Sequence, residues 1–356
     1  MTQSTPAPTF PTTIGLDLGG RRTHWNKLDE YGKPAGHGSV ATTREALRRQ
    51  LEGAPARVVM EACGTCRWVA ALCRDLGHEV IIANPRQFHL ISKSKCKTDP
   101  RDARMLAEVG QVRPSLLHPI RLRNENCQRG RVLVSARKHF VEQRTVHVNF
   151  VRGQMRTLGM PLASCSTEAF AKRFRDAIPE EYHEMLLPVL DEISALNDKI
   201  AMYDHAVERV SREQYPETEV LRQIKGVGPI LALTYVVTIE SPEHFEDSRL
   251  VGAYVGLTPK AHSSSGHDPQ LRITKCGDRM LRTLLVSAAT WILTHGEDSG
   301  LRRYGERIRA RGDQASRGKA RIAVARKLAV LLHRLWKTGE VYEPLHGAHE
   351  VNGHAA

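Results

Sequence analysis

The stretch KTDPRDARMLAEVG, Lys97 to Gly110, places Asp99 and Asp102 three residues apart with a proline directly after the first. Two chemistries suit that spacing. Asp99 as N-cap, Pro100 at the first helical position and Asp102 at the third make a good helix start. The same pair can form half of a metal site, because one carboxylate has lone pairs for both tasks. Two further carboxylates bear on the choice. Asp17 lies inside the apolar run IGLDLGG, where an aspartate is costly unless something charged meets it. Glu61 ends the run RVVME and is followed by Ala62-Cys63-Gly64. A carboxylate at a strand's C-terminal end faces the crevice where α/β sheets bind ligands. If all four converge at one end of a sheet, they repel and raise one another's pKa unless cations sit among them. Mg²⁺ prefers such an all-oxygen environment, and two such ions would clamp a phosphodiester for in-line displacement.

A second candidate lies in KAHSSSGHDPQLRITKCGDR, Lys260 to Arg279. Ser263, Ser264 and Ser265 sit between His262 and Gly266, with Arg272, Lys275, Arg279 and Arg282 downstream. A serine hydroxyl among such cations can attack a phosphate, the cations offsetting charge on the transition state. A Ser/Gly-rich flexible loop is the other meaning of the run. Upstream, Ile224-Lys225-Gly226-Val227-Gly228-Pro229 precedes an apolar helix and resembles the hairpin of helix-hairpin-helix modules. There, glycine-rich amides at a helix start hold a DNA phosphate, although any tight turn before a helix also favours Gly and Pro.

The bulk composition sets the partner. The chain has 356 residues, enough for two domains, with 41% hydrophobic and 26% charged residues, as in ordinary folded proteins. Its net charge of +13 is the outlier, and arginine supplies most of the excess. Guanidinium forks match phosphate geometry, so a polyanionic partner is expected rather than a merely basic soluble protein. Seven cysteines without disulfide-like spacing suit a reducing cytosol. Cys63 and Cys66 form a CxxC, but no second pair follows at zinc-finger distance, so neither a zinc nor a redox site is expected. No apolar run reaches membrane-spanning length, and the first dozen residues read as a disordered lead-in.

The elements that must position these residues follow from periodicity. Ile14–Leu18, Ala56–Met60 and Val80–Ala83 are predicted strands, with a polar stretch after the first that ends in the turn-like Tyr31-Gly32-Lys33-Pro34. Arg44–Glu52 and Trp68–Leu76 are predicted helices, so the N-terminal layer is α/β with some parallel pairing. Beyond about Arg121 the strand signals fade, and Arg129–Leu158 is helical and heavily basic. Leu186, Val189, Ile193, Leu196, Ile200, Tyr203, Val207 and Val210 form an a/d seam, either a coiled-coil or helical-hairpin arm or a long core helix of a bundle. A second globular unit starts near Leu221 and closes with a helix from Gln314 to Trp336.

Taken together, IGLDLGG, VVMEACG, SKCKTDPRDARMLA, IKGVGPILA, LVGAYVGLTPKAHSSSG and RITKCGDRMLRTLL resemble the DEDD-type insertion-sequence transposases related to the Piv DNA invertase, the bridge-RNA-guided recombinases. The motifs run in that family's order from Ile14 to about Leu285. The resemblance implies an α/β RNase H-like (RuvC-like) N-terminal domain over 13–120, behind a lead-in at 1–12. A basic helical or coiled-coil segment at 121–218 and a mainly α transposase domain at 219–340 follow, then a tail at 341–356. It also implies an acidic tetrad on Asp17, Glu61, Asp99 and Asp102 that binds Mg²⁺. The nucleophilic serine falls on Ser264, the second residue after His262, with Ser263 the close alternative; Ser265 intervenes before Gly266, where the family has glycine directly after the serine. Lys225, Gly226, Gly228, Arg272, Lys275 and Arg279 are the expected nucleic-acid contacts. The expected partners are target and donor DNA, a structured bridge RNA and further copies of the chain, as a dimer or tetramer that shares metal site and serine between subunits. The expected setting is the bacterial cytoplasm at the nucleoid.

Three rivals remain at this stage. A RuvC-like metal-dependent nuclease would cut branched DNA with water and no covalent intermediate. An actin- or sugar-kinase-like ATPase would share IGLDLGG but needs a downstream Asp-Gly phosphate loop that is not found. A binder that has lost catalysis would not need the tetrad and serine loop.

Overall fold

The computed structural model describes residues 10–85, 99–260, 272–312 and 314–345. The chain divides into two compact units, one running through Leu122 and the other from Arg123.

The first unit is built on a five-stranded sheet of β1 (Thr13–Leu18), β2 (Arg22–Leu28), β3 (Pro34–Ala41), β4 (Arg57–Glu61) and β5 (Glu79–Ala83), in the order β3-β2-β1-β4-β5. β1 and β4 pair in parallel, as do β4 and β5, whereas β2 is antiparallel to both β1 and β3. Helices α1 (Arg44–Leu51) and α2 (Cys66–Asp75) cover one face. Their Leu47, Leu51, Val69, Leu72 and Cys73 pack on Ile14, Leu16, Val58 and Met60. Helix α3 (Asp99–Val112) covers the other, where Leu106 and Leu117 pack on Val59 and Ala83. Strand alternation therefore sends Val58 and Met60 one way and Val59 the other.

Two glycines let α3 sit directly on the sheet. A Cβ added at Gly15 of β1 would stand 2.0 Å from the Ala103 carbonyl oxygen, and one at Gly110 would stand 2.4 Å from Val59 Cγ2. Gly15 and Asp17 share a strand face, so the same seating brings Asp17 under the N-terminal turn of α3.

The polar stretch after β1 is a correction to the sequence reading: it forms β2 and β3, a hairpin on the sheet's outer side. The inward positions of β2 include Thr23 and Asn26, both buried, so no apolar alternation marks the strand. In β3, Gly38 pairs with Trp25, whose indole lies within 3.2 Å of where a Gly38 Cβ would be. Small residues on the edge strand make room for that ring.

The second unit is helical. Helices α4 (Glu125–Thr157) and α6 (His183–Gln214) run antiparallel, with the short α5 (Phe170–Phe174) between them in sequence. Arg137 Nε donates to Asp204 Oδ1 at 2.6 Å, Phe140 stacks on Tyr203 with centroids 5.4 Å apart, and Arg144 donates to Asn197 Oδ1 at 2.8 Å. Beyond this polar layer Val148, Val151 and Met155 meet Leu186, Leu190, Ile193 and Phe170 in a separate apolar cluster. The predicted seam is thus filled within the chain by a helical hairpin. Of the arrangements the seam allowed, a coiled-coil or helical-hairpin arm or a long core helix of a bundle, the structure contains a helical hairpin.

At the other end Val134 and Val207 join the core of α7 (Glu217–Arg222), α8 (Pro229–Ile239), α9 (Leu250–Tyr254), α10 (Arg279–His295), α11 (Gly300–Arg309) and α12 (Gln314–Thr338). Helix α8 is buried from Leu231 to Ile239, and its Tyr235 hydroxyl donates to the Ala329 carbonyl at 2.7 Å, satisfying the one polar atom of a fully buried ring. Among the described residues no helix is long and apolar enough to cross a membrane.

Candidate active site

The first unit gathers acidic groups at one end of its sheet. Asp17 lies near the end of β1, and Glu61 is the last residue of β4, one step past the Leu16–Met60 pairing. Asp99 and Asp102 occupy the first turn of α3, Asp102 buried and Asp99 largely exposed. Burial first, then the charges of Asp99 and Asp102, push the Asp17 carboxyl up to about 6; His24 opposes this and Glu61 adds to it. The other three carboxylates singled out in the sequence therefore all act electrostatically on Asp17, across more than 80 residues of chain.

Sequence reasoning missed one member of this group. His24 lies directly opposite Asp17 in the β1–β2 register, and its Nδ1 is 3.5 Å from Asp99 Oδ2. Asp17, His24 and Asp99 each offer a donor atom, and these atoms all lie within 4.8 Å of one another. Asp102 and Glu61 stand outside that triplet, close enough to raise the Asp17 pKa. The donor set, carboxylate oxygens with one imidazole nitrogen, fits a divalent cation, which would offset both the burial of the Asp17 charge and its repulsion by the neighbouring carboxylates.

The CxxC lies beside this end of the sheet. Cys63 is exposed and Cys66 is buried at the first position of α2. Hydrogen bonding from Cys66, followed by Thr65, lowers the Cys63 thiol to about 5 and raises that of Cys66. Among the described residues the two cysteines join no metal-binding group.

In the second unit the residues expected to meet nucleic acid separate into two kinds. Gly226 has φ 98°, a left-handed conformation that favours glycine, and a Cβ there would strike Trp291 at 2.8 Å. Gly228 is the N-cap residue of α8 ahead of Pro229, and Lys225 pairs with Glu297. This turn is thus required by packing whatever it binds. Arg272 and Lys275 instead line a cleft of about 1040 Å³ together with Arg249, Lys319, Arg326 and Lys327. Among the described residues no acidic residue lines it. Arg279 opens α10 behind the N-cap Asp278, while Arg282 is engaged by the carbonyls of Val255 and Cys276.

Ser263 and Ser264 lie outside the described residues. The segments on either side of them are joined: Lys260 N–H donates to the Arg272 carbonyl at 3.0 Å, and Thr274 N–H to the Thr258 carbonyl at 2.9 Å. That bridge belongs to the wall of the cationic cleft.

Comparison with known proteins gives these features a class. Residues 14–160 match the family model for DEDD transposases of the IS110 type, and residues 218–304 match the Transposase IS116/IS110/IS902 family. The putative transposase y4pF/y4sB of Sinorhizobium fredii is 29% identical over 326 residues, covering 87% of this chain and 83% of that protein. The transposase for insertion sequence element IS1111A of Coxiella burnetii is 26% identical over 345 residues, covering 92% and 90%. The pilin gene-inverting protein of Moraxella bovis is 23% identical over 296 residues, covering 80% and 81%. Sheet, acidic face and matches together define a DNA transposase. The chain belongs to the IS110/IS116 family of DEDD-type insertion-sequence transposases, to which the pilin gene-inverting proteins are related.

Proposed function

We propose that the chain moves its insertion sequence by strand exchange through a serine–phosphate intermediate, with Mg²⁺ held by Asp17, Glu61, Asp99 and Asp102. The carrying observation is that Asp99, Asp102 and Glu61 all bear on the half-buried Asp17 carboxyl, with a donor atom of Asp99 within 4.8 Å of one on Asp17. When bound, a divalent cation supplies charge neutralisation at the scissile phosphate. The carboxylates hold it, and α3, resting on Gly15, fixes their spacing.

Ser264, with Ser263 as the alternative, provides the hydroxyl. Its oxygen forms a bond to phosphorus as the bridging bond to the departing strand breaks, and the serine proton ends on that strand's new hydroxyl. Attack by a second strand's hydroxyl reverses the step and restores the serine. The cationic cleft, with Arg272 and Lys275 on its wall, supports this reading because it sets guanidinium and ammonium groups beside the chain segments that flank the serines. Lys225, Gly226, Gly228 and Arg279 are further phosphate contacts in this reading. The inverting activity named for the Moraxella proteins also supports rearrangement of DNA by recombination. A structured bridge RNA selects target and donor DNA, and two or four copies of the chain assemble so that one supplies the acidic site and another the serine. The net charge of +13 suits both nucleic acids.

The test uses suicide DNA with the full-length protein and Mg²⁺. Asp102→Asn and Ser264→Ala each abolish recombination, and only the serine change removes the covalent protein–DNA adduct. An adduct that persists in the Ser263→Ala, Ser264→Ala double variant refutes the serine chemistry, and cleavage with no adduct in the wild type favours the water-dependent nuclease. A discrete small RNA that copurifies with the protein supports guidance; its absence speaks against it.

A further inference from the structure

We infer that His24 is a direct ligand of the divalent cation, giving the site one nitrogen donor and a preference for Mn²⁺ over Mg²⁺. The inference rests on the metal-site reading above and extends it to a residue outside the acidic tetrad. Three observations carry it. The antiparallel register sets His24 directly across from Asp17, so both side chains leave the same sheet face. His24 Nδ1 stands 3.5 Å from Asp99 Oδ2, and the donor atoms of all three residues lie within 4.8 Å of one another. Donors around one octahedral ion stand about 3 Å apart when adjacent and about 4 Å apart when opposite. The triplet is therefore within small side-chain adjustments of a three-ligand set. His24 is also only partly exposed, held by strand pairing on both sides, so its imidazole is presented from rigid backbone.

The nitrogen matters because Mg²⁺ strongly favours oxygen, whereas Mn²⁺ accepts imidazole and carboxylate together. Neither Asp102 nor Glu61 belongs to the triplet, which leaves them for the remaining positions or for a neighbouring ion. The competing account is that His24 only pairs with Asp99 of α3.

The full-length protein, free of nucleic acid, is titrated with Mn²⁺ and separately with Mg²⁺ by calorimetry, and the Mn²⁺ complex is examined by pulsed electron paramagnetic resonance. Wild type binds Mn²⁺ about tenfold tighter than Mg²⁺ and shows coupling of the manganese to a directly bound nitrogen. His24→Gln loses the nitrogen coupling and about tenfold in Mn²⁺ affinity, with a smaller loss for Mg²⁺. His24→Asp, which restores an oxygen donor, binds Mg²⁺ at least as well as wild type. Melting of the cation-free variants checks that the sheet is intact. Mn²⁺ bound without nitrogen coupling, or equal Mn²⁺ affinity in His24→Gln, overturns the role of His24 while leaving the acidic site standing. Undiminished binding of both ions in Asp17→Asn overturns the metal site itself.

Discussion

Arg131 of α4 forms an ion pair with Asp278, the N-cap residue of α10, whose side chain is only 5% exposed. The same carboxylate accepts the Leu281 N–H at 2.8 Å, so one buried group both caps a helix and receives a guanidinium. Removing the carboxylate leaves an orphan amide and an uncompensated cation. Asp278→Ala is expected to lower the stability of the second unit by about 3 kcal/mol, and Asp278→Asn, which keeps the cap acceptor, by about 1–2 kcal/mol. Denaturant unfolding of the two variants checks the ranking.

Gly15 and Gly110 determine how closely α3 lies on the sheet. Gly15→Ala drives a methyl group into backbone at Ala103, and no side chain can be trimmed to relieve it. A loss of about 3 kcal/mol or more is expected for the first unit, with weakened divalent-cation binding because Asp99 and Asp102 ride on the displaced helix. Gly110→Ala meets only the Val59 side chain. Its cost should be partly recovered in the Val59→Ala, Gly110→Ala double variant, measured as the coupling in a double-mutant cycle.

Acidification should act oppositely on the two units. Asp17 has a folded-state pKa raised from 3.8 to about 6, so the folded chain holds a proton that the unfolded chain releases between those values. Its contribution to stability therefore falls as pH rises through that window and is regained on acidification. His333 is buried, with its ring nitrogens 2.8 Å from Ser248 Oγ and 2.9 Å from the Pro242 carbonyl, and burial lowers its pKa below 6.5. The unfolded chain takes up a proton as pH falls through 6.5 while the folded chain does not, so its contribution is intact above that value and lost below it. Between neutral pH and about pH 5, the shift in melting of cation-free protein should lose its favourable part in Asp17→Asn and its unfavourable part in His333→Gln.

Cys63 is exposed, and its thiol is lowered to about 5, first by Cys66 and then by Thr65, whose hydroxyl is 3.2 Å from the Cys63 sulfur. Both contacts favour its thiolate over its thiol. Iodoacetamide should modify Cys63 before the exposed Cys276 and continue to do so down to about pH 6. Cys66→Ala should abolish that acid-side reactivity. Peptide mass mapping of the alkylated protein reads the order directly.

The strands that carry Asp17 and Glu61 were legible because β1 and β4 hold apolar runs buried on both faces. β2 was not, since its inward Thr23 and Asn26 break any alternation. That gap also hid His24: the histidine reaches the acidic site through register with Asp17, and register cannot be assigned to a strand that was not recognised. In the second unit the seam of α6 was plain, but its partner was not, because α4 is mostly polar and meets it through Arg137, Phe140 and Arg144. The turn at Gly226 reads in the sequence either as a helix-hairpin-helix phosphate turn or as a plain tight turn before a helix, and its need for glycine comes from the positive φ and the Trp291 ring.

The α4–α6 pair also governs how this part of the chain can vary in length. Contacts advance along one helix as they recede along the other, Val134 facing Val207, Arg144 facing Asn197 and Met155 meeting Leu186. A deletion from one helix alone misaligns every rung beyond it. Excisions of about two turns, matched on both helices around the Arg137–Asp204 rung, would leave each end's cluster in phase. Natural or engineered relatives with shorter or longer hairpins should therefore differ by equal insertions on the two sides.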